Sequence, residues 1–460
     1  MTCRITGIVT LVIGFLLSPV LKAQETRDTL IHLKDALLLA EQRYHLLQSK
    51  KSEAEAASKN IDAIKYSAVP SLDISYQAGI GTANNLTGIF YPSGILPMTG
   101  PPSISNNYTP ATGTATSLLL NWQAITFGQR RAQIEVAIAE ANKKSMEYRQ
   151  ALFFHKINVI AAYLDLLLAS EALSIYQHNI ERVEVNLQQS RILVKTGIKP
   201  GVDTALFLSE LSKAKIDWLN AKKQLEIYRS ILAQLILSKA YPLPADTSFL
   251  HTLPVYSPSF DSSFAGNPSI QYAESQVNLD KAKETLLKKS YLPKLNVWAT
   301  GFARGSGFQA DGSIKTWDGL GLSRFNYGTG VQLIFSIFKP GEIKRQLSQQ
   351  AFLSKAAQEK ADESRSVLVS QQQVADATYN GSVAIAAETG EQLKSGQYAF
   401  AAMQTRYNTG LVNFSDLIQT QYNLLKAELD KEKSYWEVWK SLLLQAMAKG
   451  DEKIFLDAIR

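Results

Sequence analysis

A mainly α chain with a smaller β portion, folded as two copies of one plan, is what the sequence predicts. Three observations predict it. First, the chain repeats itself without a gap: a shift of 213 residues, the interval from Gly128 to Gly341, places Trp122 on Phe335, Thr196-Gly197 on Thr409-Gly410, Asp203 on Asp416 and Lys213-Ala214 on Lys426-Ala427. A register held over about ninety residues suits a long helix, where one inserted residue turns everything beyond it by about 100°. Second, a 4,3 alternation from Ile134 through Ile138, Ala141, Ser145, Tyr148, Leu152, His155, Val159, Ala162 and Leu166 to Ile180, Val183, Leu187, Ser190 and Val194 is a heptad seam. Third, each copy carries two stretches of period-two alternation between Pro and Gly punctuation, which marks a pair of strands.

Taken in order, residues 1–23 read as a secretory signal, with Arg4 in a short basic start, an apolar run from Ile8 to Leu21, and Ala23 before Gln24. Cys3 is the only cysteine and leaves with that signal, so no thiol, disulfide or thiolate metal site is expected in the mature chain. Losing Arg4 and Lys22 as well takes the formal charge from +7 to +5. The remaining charges are interspersed along helices, which marks solvated faces rather than a nucleic-acid footprint. At 45% hydrophobic and 19% charged residues the chain has the composition of an ordered protein. Beyond the signal no apolar run of about 20 residues is expected to cross a membrane as a helix, although barrel strands escape that test.

The first copy occupies residues 24–240. Asp28 or Thr29 caps a helix over Lys34 to Tyr66, which Val69-Pro70 ends. Leu72, Ile74, Tyr76, Ala78 and Ile80 then alternate with Ser71, Asp73, Ser75, Gln77 and Gly79, so a strand begins a hairpin over about 71–122. Residues 81–107, dense in Gly, Pro and Asn, form its loop, and Tyr108 to Trp122 its return. Trp122 and the Phe127-Gly128 turn make the corner that releases a helix free of Pro and Gly from Gln129 to Thr196. A turn at about 195–204 stops it, and a second helix runs from Val202 to Lys239.

Residues 241–266, rich in proline, are the linker, and 267–460 the second copy. Asn267-Pro268 opens its first helix and Leu292-Pro293 closes it. Strands at Leu295–Arg304 and Tyr327–Phe338 make a hairpin over about 294–338 around a Gly-rich loop. Phe335 to Gly341 is the second corner, followed by a long helix from Glu342 to Thr409 with a more polar seam, a turn at about 407–417, and a last helix to Lys449. Pro70 and Pro293 are 223 residues apart, so the first hairpin is the longer by ten, a difference loops absorb at little cost. Four strands of this length cross a bilayer at a tilt but cannot close a barrel, and lipid tolerates no open edge. Chains must therefore pool strands, eight from two chains or twelve from three.

These ordered copies, the Pro-ended helices, the two corners and above all the paired turns Thr196-Gly197-Ile198 to Asp203-Thr204 and Tyr407-Asn408-Thr409-Gly410-Leu411 to Ser415-Asp416-Leu417 resemble the TolC-like outer-membrane efflux family, over essentially the whole mature chain. The resemblance implies a homotrimer, with a twelve-stranded outer-membrane β-barrel continued by a twelve-helix periplasmic α-barrel. It implies a passive exit duct whose tips dock a periplasmic adaptor protein and an inner-membrane transporter. On that pattern Gly197, Ile198, Gly410 and Leu411 form the docking turns. Asp416 matches an acidic ring at the aperture, and Tyr407 and Asp203 match a contact that holds it. The family's next acidic position is Gln419 here, and its basic partner beyond the second glycine is Val412, with Arg406 nearest.

Each of these residues also has a plainer role. Gly197 and Gly410 suit any helix stop, Asp416 suits a helix start, and Tyr407 continues the heptad phase as packing. Trp122, Tyr76 and Tyr108 serve either as interface anchors or as strand packing. His155 falls in the seam as a core polar residue, and the other histidines lack metal-ligand spacing. No catalytic group, metal site or cofactor is expected, and no enzyme. Two other functions stay open: the duct of a type I protein secretion system, and a periplasmic coiled-coil tether or chaperone, which explains the heptads but not the duplicated strands.

Overall fold

The computed structural model describes residues 29–86, 102–255 and 264–459. The expected signal, Asp28, residues 87–101 of the first hairpin loop and residues 256–263 of the linker lie outside them. The described chain falls into two compact units, and each draws on both halves of the sequence.

One unit, from residues 46–151 and 261–370, holds a four-stranded antiparallel sheet in the order β2 (Ser71–Gly81), β3 (Ala111–Ile125), β5 (Lys294–Ser306), β6 (Arg324–Ile334). β1 and β4 belong to the other unit. All four helical connections leave one end of the sheet: α2 (His45–Tyr66) ends there, α3 (Gln129–Lys195) begins, α5 (Pro268–Lys289) ends and α6 (Lys339–Asn408) begins. The other end carries the two hairpin loops.

Register decides the chemistry of the two faces, since a slip of one residue would exchange them. Ile74 pairs with Leu118, Leu118 with Gly301, and Gly301 with Tyr327. One face therefore carries Leu72, Ile74, Tyr76, Leu118, Leu120, Trp122, Val297, Ala299, Tyr327, Val331 and Leu333. The other carries Asp73, Ser75, Gln77, Ser117, Asn121, Asn296, Thr300, Asn326 and Gln332. The polar face is cross-linked where Ser75 and Ser117 share a hydrogen bond of 2.8 Å. On that face the Trp298 ring lies over Gly330, where an added Cβ would come within 2.7 Å of it. The one irregularity, between Gln123 and Ile125, falls at the helical end.

The two corners differ. Trp122 donates its indole N–H to the Ala68 carbonyl at 2.9 Å, tying β3 to the end of α2. Phe127 and Gly128 then both take positive φ, 48° and 91°, before α3 starts. In the second copy β6 stops at Ile334, short of the expected Phe338, and Phe335 lies in the corner itself. Gly341 is already inside α6. Pro340 explains the difference, because its fixed φ and missing N–H suit the first turn of a helix.

The second unit takes the described residues up to His45 with those of 152–260 and 371–460. The single helix expected over Lys34 to Tyr66 is broken: α1 (Leu33–Arg43) ends at Tyr44, whose backbone is extended at φ −66° and ψ 117°. Tyr44 leaves the helix to stack on His155, ring centroids 3.8 Å apart. His155 also meets the Leu235 carbonyl at 3.1 Å, and burial lowers its pKa, so it is a core residue. Thr29 is not a helix cap but begins β1 (Thr29–Ile31).

The linker is structured where it is described. β4 (Pro242–Pro244) pairs in parallel with β1, and a 3-10 turn over Thr247–Leu250 follows. Phe249 from that turn meets Trp439 of α7 (Phe414–Lys449) edge-on at 4.8 Å and stacks on Phe455 of α8 (Lys453–Leu456). These layers enclose α3, so Val159, Ile160, Tyr163, Leu164, Leu166 and Leu167 are all fully buried. A 4,3 seam is too narrow for such a stretch. That enclosure also corrects the membrane expectation, because α3 does hold a stretch long and apolar enough to cross a bilayer. Its apolar side chains are spent on the core of this unit.

Asp246 ties the layer together. Its carboxylate accepts from the Leu33 N–H at 2.8 Å, capping α1 from outside the helix, and from Tyr163 at 2.8 Å, and it pairs with His32 at 2.6 Å. Burial pushes its pKa up, but these donors outweigh burial and hold it below the usual carboxylate value. The same contact raises the His32 pKa. Asp246→Ala is expected to cost about 1–2 kcal/mol, the worth of a lost helix cap. A depressed carboxylate contributes stability that is present above its unfolded pKa and lost as pH falls through the folded one. A raised imidazole contributes below its unfolded pKa and loses it as pH rises. Thermal unfolding of the detergent-solubilised protein should therefore show the widest gap between wild type and variant from about pH 4 to 6.5.

Candidate docking tip and aperture

Two helix ends meet in the second unit. α3 stops at Lys195 and α6 at Asn408, and each is followed by a glycine in the left-handed region, Gly197 at φ 76° and Gly410 at φ 78°. The bonding is the same in both. Ile198 N–H donates to the Leu193 carbonyl and Leu411 N–H to that of Arg406, each at 2.9 Å, while the two glycine N–H groups bond three residues back. This is the Schellman closure, in which the residue at positive φ is glycine because a Cβ is penalised there. It leaves Ile198 55% and Leu411 76% exposed, and the two turns are adjacent, since a Cβ on Gly410 would lie 3.3 Å from Ile198 Cγ2.

Lys199 clamps the two turns. Its ammonium donates to the Val412 carbonyl at 2.6 Å and lies 5.0 Å from the centre of the Tyr407 ring. A cation does bridge the turns, but it comes from the first copy and not from Arg406. Below the turns Tyr407 is buried and donates to Asp203 Oδ2 at 3.0 Å. Burial, and after it the accepting carboxylate, push the tyrosine pKa up to about 12, so it stays a donor at any physiological pH. Phe207 packs edge-on against Tyr407 and Phe414, at 5.8 and 4.7 Å. Packing and the Tyr–Asp contact coexist at Tyr407.

Asp416 stands apart from that contact. It is exposed in the first turn of α7, where its N–H is capped by Asn413 Oδ1 at 2.9 Å. One helical turn on, Gln419 is exposed too and bonds Asn423 at 3.1 Å. The helix-start role of Asp416 is visible, and its carboxylate is left facing outward.

A buried polar ladder escaped the sequence reading. Gln421 donates to Asn179 at 3.1 Å, Asn186 donates to Gln421 at 3.0 Å, and Gln404 donates to Asn186 at 3.0 Å. Beside it Arg182 makes a two-pronged pair with Glu428, both bonds 2.6 Å. The signal was present, because Asn179 and Asn186 lie one heptad apart. They flank the seam rather than fill it.

These features define the class: a mainly helical protein with an amphipathic antiparallel sheet open at both edges, and two matched helical turns. The outer membrane efflux protein family model matches residues 36–236 and 261–433, and the chain belongs to that family. It is therefore an outer-membrane channel of the efflux type, passive rather than enzymatic. Similar solved structures support the fold. The CusC channel shares 13% identity at a TM-score of 0.75, over 92% of this chain and 94% of that one. The MtrE channel of Neisseria gonorrhoeae, in its open state, shares 18% at 0.72, over 91% and 89%. The CmeC channel of Campylobacter jejuni shares 16% at 0.72, over 91% and 85%. No curated protein matches the chain by sequence.

Tyr407→Phe leaves Asp203 buried without its donor, a loss of about 1–3 kcal/mol. Amide hydrogen exchange at Ile198 and Leu411 should then speed up by about tenfold for each 1.4 kcal/mol. Unchanged exchange would mean that the Tyr–Asp bond does not hold the turns.

Proposed function

We propose that the protein is the outer-membrane exit duct of a tripartite efflux system. Three copies close a twelve-stranded barrel, with β2 of one copy pairing with β6 of the next. The apolar face of each sheet meets lipid and the polar face lines the lumen. The tip turns around Gly197-Ile198 and Gly410-Leu411 dock a periplasmic adaptor, which couples the duct to an inner-membrane transporter. Asp416 sits at the aperture, and the Tyr407–Asp203 and Lys199–Val412 contacts hold the tips in their closed arrangement until the adaptor binds the open one better.

The observation that carries this reading is the pair of identical turns. Each exposes one branched apolar side chain, Ile198 packs close to Gly410 of the other turn, and neither side chain is needed by the core beneath. Exposed apolar residues on matched, rigid turns are what a partner with paired sites would bind. A tether without a membrane portion has no use for a sheet whose register gathers most of its apolar side chains on one face. In the periplasmic frame the docked partner supplies the energy, and the duct a sealed path.

Gly197→Val and Gly410→Val each force a branched residue into the left-handed region, at a cost of about 1–2 kcal/mol. Both are expected to abolish export and copurification of the adaptor while leaving trimers in the outer membrane. Normal export by either variant would count against docking at the turns. Asp416→Ala is expected to weaken block of the reconstituted pore by divalent cations. Block that is the same in variant and wild type, at every pH across carboxylate titration, would remove Asp416 from the aperture.

A further inference from the structure

The loop joining β5 to β6 does not project from the sheet but lies back on it, and the register shows on which face. Thr114 Oγ1 donates to the Gly319 carbonyl at 2.8 Å, and Thr112 donates to the Thr316 carbonyl through both its N–H, at 2.8 Å, and its hydroxyl, at 2.6 Å. Thr112 and Thr114 continue the series Trp122, Leu120, Leu118, Thr116 on the apolar face, with no bulge between them. Gly305, paired with Thr114, confirms the direction, because a Cβ there would lie 1.9 Å from the Gly321 carbonyl oxygen. The approach is backbone on backbone: a Cβ on Gly319 would fall 1.7 Å from the Thr112 carbonyl oxygen. Only glycine permits the loop to sit so close.

The loop satisfies its own polar groups against the sheet and turns apolar side chains outward. Trp317 is 70% and Leu320 54% exposed, with Leu322 beside them. Its one ion pair, Lys315 with Asp318 at 3.8 Å, is internal, and with Asp311 the loop carries one lysine against two aspartates. On the neighbouring strand Phe325 and Tyr327 are exposed on the same face, so the loop's apolar surface continues that of the sheet.

We propose that this folded-back loop is a lipid-contacting collar. Trp317, Leu320 and Leu322 enter the headgroup and upper acyl region of the outer leaflet and fix the depth of the barrel. Continuity with the apolar face selects lipid as the occupant. A large ring with a polar edge partitions to that depth. Insertion is driven by apolar area and not by attraction to anionic headgroups, since the loop's single lysine is paired with Asp318 and outnumbered by Asp311 and Asp318.

The inference rests on the apolar face meeting lipid, and the test separates the two. In the full-length chain carrying Cys3→Ser, a single cysteine is placed by Trp317→Cys, by Tyr327→Cys or by Ser313→Cys at the exposed loop turn, and labelled with an environment-sensitive fluorophore. The trimers are reconstituted in phosphatidylcholine vesicles. At position 317 quenching by lipids spin-labelled near the headgroup should reach at least about half that at 327, with iodide quenching several-fold below that at 313. A wet label at 327 overturns the assignment of the sheet face. A dry, lipid-quenched 327 with a wet 317 overturns only the collar. A 317 label shielded from both quenchers overturns it in favour of cover by a neighbouring subunit, and lipid quenching that needs anionic lipid overturns the apolar mechanism. Gly319→Ala should lift the loop and make 317 iodide-accessible while 327 stays protected, and Thr114→Val should do so in part. Unchanged protection at 317 in both variants would overturn the role of this seat.

Discussion

Along the outer sides of β2 and β6 the backbone N–H and C=O groups have no partner among the described strands, and hydrocarbon offers none. That constraint governs the molecule. A soluble sheet tolerates such an edge with a charge or a bulge, but a sheet with one largely apolar face cannot leave it open in a bilayer. Self-association follows from the edges, and uniform register follows from self-association, because a barrel with an apolar outside and a polar inside tolerates no slip. The Trp298 ring over Gly330 and the Ser75–Ser117 bond are the side-chain means by which β5 and β6, and β2 and β3, keep that register.

The helices obey a different rule. α3 is buried all round where β1, β4 and the 3-10 turn enclose it, whereas α6 buries a single stripe made largely of small or polar residues: Gln350, Ala357, Ala361, Gln372, Ala375, Ser382, Ala386 and Thr389. A stripe of this kind gains less from burial than one of leucine. What it gains is close approach: at Gly396 a Cβ would come within 3.7 Å of Ala427. The ladder of Asn179, Asn186, Gln404 and Gln421 adds specificity, since a shift along the helix axis would strand several buried amides at once. Wedge-like rearrangements of the tip thus meet a cost concentrated in a few hydrogen bonds.

At the tip the two copies of the plan meet through a buried apolar cluster and through two polar contacts. Lys199 to Val412 and Tyr407 to Asp203 are single bonds between the two copies of the plan, the second of them inside the buried cluster around Phe207. Bonds of this kind can be exchanged for others when a partner's contacts repay their loss.

Much was legible along the chain because it is local. Helix stops at Gly197 and Gly410, the proline that opens α5, the alternation of β2 and the interval of 213 residues between copies depend on backbone preferences and periodicity that neighbours carry in themselves. The family followed from those. What tertiary structure alone decided is non-local: the break at Tyr44 made for a stack on His155, the order given to the linker by Asp246 and Tyr163, the all-round burial of α3, the cation of Lys199 at the second turn, and the loop that lies back on the sheet through Gly305 and Gly319. Each depends on which surfaces come to face one another. A one-dimensional pattern records how a residue prefers to sit, and it does not record what will be opposite it.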